Sequence, residues 1–142
     1  MKTKTLRQQV TFDASPNDVY EALMDAKKHA KFTGAPAKIS RAIGGKFEAH
    51  GKYITGSNVE LKPGKKIVQA WHGGGWPEGH MSLTTYNFSK AGKKTKMAFR
   101  HSGIPEKEYQ SIKSGWNTHY WEPMKAMFAP SVKKTTSASK KK

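Results

Sequence analysis

Residues 103–128, GIPEKEYQSIKSGWNTHYWEPMKAMF, decide how the rest of the chain is read. Apolar and aromatic side chains recur there at Tyr109, Ile112, Trp116, Tyr120, Met124 and Met127, in steps of three and four. That spacing sets them on one face of a helix. Gly103-Ile104-Pro105 reads as the end of the preceding sheet. Glu106 and Glu108 then put negative charge at the helix start, where free backbone N–H groups favour it. Gly115 and Pro123 disturb the pattern. An interior proline costs about 3 kcal/mol, which predicts a bend near Pro123 or an early end.

Upstream, the periodicity is that of strands. Residues 37–102 are punctuated by Gly44-Gly45, Pro63-Gly64, the loop Gly73-Gly74-Gly75-Trp76-Pro77-Glu78-Gly79, and Ala91-Gly92-Lys93-Lys94. Short strands with no helix between them predict an antiparallel meander rather than parallel βαβ units. Further back, Leu6, Gln8, Val10 and Phe12 alternate on one face of a first strand. Ser15-Pro16 opens a helix, with Ser15 as cap and Pro16 in the first helical position. Residues 27–32 give a second, short helix closed by Thr33-Gly34. The order is strand, two helices, about six strands, long helix, in which a concave sheet grips the last helix.

Length and charge bound the rest. The chain has 142 residues, room for one domain with a real core. It contains no cysteine, which excludes disulfide scaffolds, thiol catalysis and cysteine-based metal modules, and fits a cytoplasmic location. No apolar run reaches membrane-spanning length. Lysine and arginine total 26 against 10 acidic residues, a formal +16. Five lysines after Pro130 leave +11 on residues 1–130. Residues 1–128 are expected to fold, and 129–142 to form a basic, disordered tail. Because the charge is mostly lysine, any nucleic-acid contact would be nonspecific and salt-dependent.

Several stretches resemble the SRPBCC superfamily (START, or Bet v 1-like), with its helix-grip fold. They are residues 12–23 (FDASPNDVYEAL), 28–34 (KHAKFTG), Gly44-Gly45-Lys46-Phe47, 60–65 (ELKPGK), Trp71, Trp76-Pro77-Glu78-Gly79-His80, His101-Ser102-Gly103-Ile104-Pro105 and Gly115-Trp116. Within the superfamily the chain is similar to the branch of activators of heat-shock protein ATPase, and the likeness runs from Thr5 to Phe128. The resemblance implies an α+β helix-grip domain, with six to seven antiparallel strands around the C-terminal helix. It also implies either a small hydrophobic ligand, lipid- or polyketide-like, or a chaperone as protein partner. Eukaryotic activators of that branch carry a separate N-terminal domain as well, for which this chain has no room.

If the sheet grips the helix, Trp116 and Tyr120 face Trp71, Tyr86 and Phe99, and His101 lies in phase with Met97 and Phe99. These seven residues form the candidate ligand cavity, with His101 and Tyr120 to orient a polar end. Complete filling of that space by the same aromatics is the competing reading. Catalysis would rest on His101 with Tyr120, since no Gly-x-Ser-x-Gly elbow and no inward carboxylate is visible. Noncatalytic binding is therefore expected, without cofactor. His72, His80 and Glu78 lack the spacing of a zinc site, so no metal is expected. Phosphate-loop and dinucleotide fingerprints are absent.

Overall fold

The computed structural model describes residues 2–51 and 53–129. From residue 130 on, the expected basic tail lies outside the described residues. Seven strands form one antiparallel sheet: β1 (Thr3–Phe12), β2 (Ala37–Ile39), β3 (Lys46–Ala49), β4 (Ile54–Lys62), β5 (Lys66–Gly73), β6 (Ser82–Ala91) and β7 (Lys94–Pro105). Their order across the sheet is β1-β7-β6-β5-β4-β3-β2. The meander runs from β2 to β7, and β1 returns to pair with β7 at the far edge.

Two helices connect β1 to β2. In α1 (Pro16–Met24) the Ser15 hydroxyl accepts from the Asp18 N–H at 3.1 Å, and Pro16 occupies the first turn. Asp25 then breaks the helix with extended backbone and caps α2 (Ala26–Thr33), accepting from the Lys27 and Lys28 N–H groups. One carboxylate thus stops one helix and starts the next, which turns the chain sharply enough to lay both against the sheet end. The buried positions Val19, Tyr20, Leu23 and Met24 of α1 and His29 and Phe32 of α2 face the core.

Of the expectations for the C-terminal region, only the early helix end at Pro123 is corrected. Gly103-Ile104-Pro105 does end the sheet, as the last three residues of β7, where β1 reaches back far enough to pair Lys4 with Ile104 and Thr3 with Pro105. The helix neither stops at Pro123 nor runs regularly past it. A single 3₁₀ turn (Glu106–Glu108) leads into α3 (Tyr109–Trp116), a π turn (Asn117–Trp121) follows, and α4 (Glu122–Phe128) completes the run. The Glu122 N–H bonds the Asn117 carbonyl, five residues back. This wider turn takes up the lost N–H and the ring crowding that Pro123 imposes one turn earlier.

The widening adds a residue to the buried face. Tyr120 and Trp121 both point inward, whereas even helical spacing selects Tyr120 alone. Trp121 is 2% exposed and donates its indole N–H to the Gln8 amide oxygen of β1 at 2.7 Å. Burying a side chain of that size removes about 200 Å² from water, roughly 5 kcal/mol of transfer free energy. The misfit at Pro123 is thereby turned into a second aromatic anchor between helix and sheet.

Candidate functional site

The seven residues expected to line a cavity divide between two surroundings. Met97, Phe99 and His101 are part of a filled core under the helix. Trp71, Trp116 and Tyr120 line an open cleft of about 410 Å³, and Tyr86 reaches only a small void below it. That void measures about 20 Å³, room for roughly one water. Trp71 and Tyr120 line both spaces and form the partition between them.

His101 lies wholly buried among Trp71, Phe99 and Trp116. Its Nδ1 accepts the Trp116 indole N–H at 3.0 Å. Ser82 donates its hydroxyl proton to the Trp71 carbonyl at 2.8 Å, so its oxygen is left to accept from His101 Nε2 at 2.7 Å. These bonds require a neutral imidazole protonated on Nε2. Burial lowers its pKa to about 3. Both nitrogens are therefore occupied within the protein, and His101 makes no bond to Tyr120.

Tyr120 instead bonds His29, with its hydroxyl 2.9 Å from Nε2. His29 is buried, and its Nδ1 has no partner. Its pKa falls to about 4, through burial first and the nearby His50 second. His50 stands 6.3 Å from His29 and 5.9 Å from His119, ring centre to ring centre. Burial, with His119 as the smaller cause, lowers the pKa of His50 as well. Three histidines thus run from the exposed helix surface to the core, meeting Tyr120 at the inner end.

The cleft lies between this file and the helix. Its walls are Ile54 of β4 and Trp71 of β5 on the sheet side, and Ile112, Gly115, Trp116 and Tyr120 on the helix side. His50 and His119 lie along it, together with Tyr53, Glu108 and Ser111. A volume of this size, apolar with a few polar groups, is typical of small-molecule sites. Two details of the backbone stand out along the cleft. His50 holds a left-handed conformation, φ 54°, uncommon for a residue with a side chain. Gly115, inside α3, has ordinary helical backbone, and a Cβ there would meet nothing closer than His119 Cδ2 at 3.8 Å. Interior glycine costs about 0.5–1 kcal/mol relative to alanine, and neither φ nor crowding demands it here. What it leaves is space in the cleft wall.

His72 and His80 serve the loop between β5 and β6. His72 Nδ1 donates to the His80 carbonyl at 2.7 Å, and His80 Nε2 to the Gly103 carbonyl at 2.8 Å. Trp76 packs between their rings and folds over Gly73, where a Cβ would strike the indole at 2.8 Å. Among the described residues no group of three or more His, Cys, Asp or Glu side chains is placed to hold a metal. No described helix is long and apolar enough to cross a membrane.

Sequence reasoning assigns no role to His29, His50 or His119. A signal existed for one of them. His29 precedes Phe32 by three residues on the buried face of α2, a position seldom given to a polar group without a purpose.

Comparison with known proteins agrees with this architecture. A family model described as Activator of Hsp90 ATPase homolog 1-like protein matches residues 13–129. The Activator of 90 kDa heat shock protein ATPase homolog of Dictyostelium discoideum is 36% identical over 132 residues, covering 92% of this chain and 34% of that protein. The human homolog 1 is 33% identical over 118 residues, covering 83% of this chain and 35% of its own length. The chain thus spans about a third of the curated relatives it matches. An HSP90 activator from Plasmodium falciparum shares the fold with a TM-score of 0.81 at 23% identity, over 87% of this chain and 94% of that one.

Proposed function

The chain belongs to the Activator of Hsp90 ATPase homolog 1-like family, and on that footing we propose that its cleft binds a small hydrophobic molecule without transforming it. The observation that carries this reading is the aromatic cleft of about 410 Å³, with Gly115 in its wall, beside an otherwise filled core. Trp71, Trp116 and Tyr120 supply the apolar contact. His50 and His119 are the groups available to a polar end, because His101 is bonded on both nitrogens inside the core. Binding rather than turnover fits a cleft in which, among the described residues, no histidine is hydrogen-bonded to a carboxylate that could orient it as a base. A cytoplasmic setting suits a cysteine-free chain of this family.

The test uses the neutral fluorophore N-phenyl-1-naphthylamine and the variant Gly115→Leu, which fills the cleft from a position with room for a Cβ. The parent protein should enhance the probe's emission saturably, and the variant should lose that enhancement at unchanged or raised thermal stability. Equal binding by parent and variant, or no binding by the parent, would end the proposal.

A second reading is favoured by the relatives, which are named as activators of a chaperone ATPase. In that reading the domain contacts a chaperone of the Hsp90 type. Adding the chain alone to such a chaperone and measuring ATP hydrolysis decides it: stimulation supports the contact, and an unchanged rate across a saturating titration removes it.

A further inference from the structure

On the far side of the sheet from the cleft, charge is unbalanced. None of the 10 acidic residues falls on β1, β5, β6 or β7. Arg7 of β1 stands directly opposite Arg100 of β7, and Arg100 is next to Thr85 of β6. Lys96 of β7 faces Thr11 of β1 in the same way. Arg7, Lys96 and Arg100 are exposed, and among the described residues none of them forms an ion pair. The third arginine of the chain, Arg41, is by contrast bonded to Glu21.

Like charges directly opposite each other destabilise a sheet. An acidic residue at Thr85 or Thr11 would relieve the opposition, and none is there. Nor can residues 130–142 neutralise it, since they include five lysines and no carboxylate side chain. Two guanidinium groups side by side form a pair of planar forks suited to bidentate oxyanions. Between the cations, the outward positions of β1, β6 and β7 carry small polar residues, Ala98 and Leu83, but no aromatic ring. Single-stranded nucleic acid is gripped on sheets by stacking its bases on aromatics, so this face is poorly made for it. Carboxylates need only the forks and the neighbouring hydroxyl donors.

We propose that the outer face of β1, β7 and β6 docks an acidic segment of a protein partner, with Arg7 and Arg100 holding its carboxylates. This surface is separate from the cleft, and the proposal stands whether or not the cleft takes a ligand.

Fluorescence anisotropy with a labelled oligo-glutamate peptide tests it on the full chain. The parent should bind at low ionic strength and weaken as salt is added. Arg7→Thr combined with Arg100→Thr should weaken binding about tenfold or more. Lys27→Gln with Lys28→Gln, which removes the same charge from the exposed surface of α2, should change it by less than about twofold. A thermal melt of the arginine variant no lower than the parent's confirms that folding is not what is lost. Three results overturn the proposal: no binding by the parent, equal weakening in both double variants, or tighter, arginine-dependent binding of oligo-uridylate than of the peptide.

Discussion

Two buried histidines, His101 and His29, sit in the same aromatic interior and are treated in opposite ways. At His101 every polar atom is matched: Trp116 donates to one nitrogen, Ser82 accepts from the other, and Ser82 passes its own proton to a carbonyl. At His29 one nitrogen meets the Tyr120 hydroxyl and the other meets nothing. The first network closes on itself beneath the helix. The second leads outward through His50 to His119 and the cleft. A closed polar network fixes one packing of a core, while an open one leaves capacity for another molecule. The unpartnered nitrogen belongs to the histidine that lines the small void beneath the cleft.

The largest expected effect tests the closed network. His101→Ala orphans the Trp116 indole N–H and leaves a cavity among three aromatic rings, for a loss of about 3–5 kcal/mol in denaturant unfolding. His29→Ala removes an imidazole that is already unpartnered on one side, and should cost at least about 1 kcal/mol less. Equal losses would abolish the distinction.

Acid should separate the two next. In the unfolded chain both imidazoles titrate near 6.5, but in the fold only near 4 for His29 and near 3 for His101. Between those values the unfolded chain holds protons that the folded chain refuses, so stability is full above about pH 6.5 and declines as pH falls. His50, lowered in the same sense, adds to the upper part of the decline. In His101→Gln the decline between about pH 4 and 3 should lose its imidazole share. What slope remains there belongs to carboxylates such as Asp25, whose pKa is held down first by the Lys28 backbone N–H. Unfolding free energies measured across this range would show it.

The smallest effect concerns the mouth of the open network. His50→Gly removes a side chain from a left-handed position and should leave stability within about 1 kcal/mol of the parent. Probe binding in the cleft should weaken by severalfold all the same. A variant that binds the probe unchanged would show that His50 has no part in the cleft.

Much of this architecture is legible in the chain because local rules and global packing agree. Ser15-Pro16, the alternation of β1 and the turn at Gly92-Lys93 each specify their own element without help from distant residues. The π turn is not legible, since it resolves a conflict between Pro123 and the sheet face that only the assembled fold poses. Trp121 stayed hidden for the same reason. In the candidate site, the strand periodicity placed His101 inward correctly, but periodicity says nothing about which atoms it meets there. Its partner Ser82 lies 19 residues away, and the Tyr120–His29 bond spans 91. Hydrogen bonds across such separations depend on sheet register and helix placement together, which no short stretch of sequence encodes.

The packing around His101 has an optical consequence. All four tryptophans of the chain belong to one connected group: Trp76 is 5.3 Å from Trp71, Trp71 is 5.9 Å from Trp116, and Trp116 stacks on Trp121 at 5.3 Å and 14°. Chromophores this close share excitation, so the protein's ultraviolet emission and its aromatic circular dichroism report a single coupled assembly rather than four independent rings. Two of its members, Trp71 and Trp116, are walls of the cleft. The domain thus carries an intrinsic spectroscopic reporter built into the walls of that cleft.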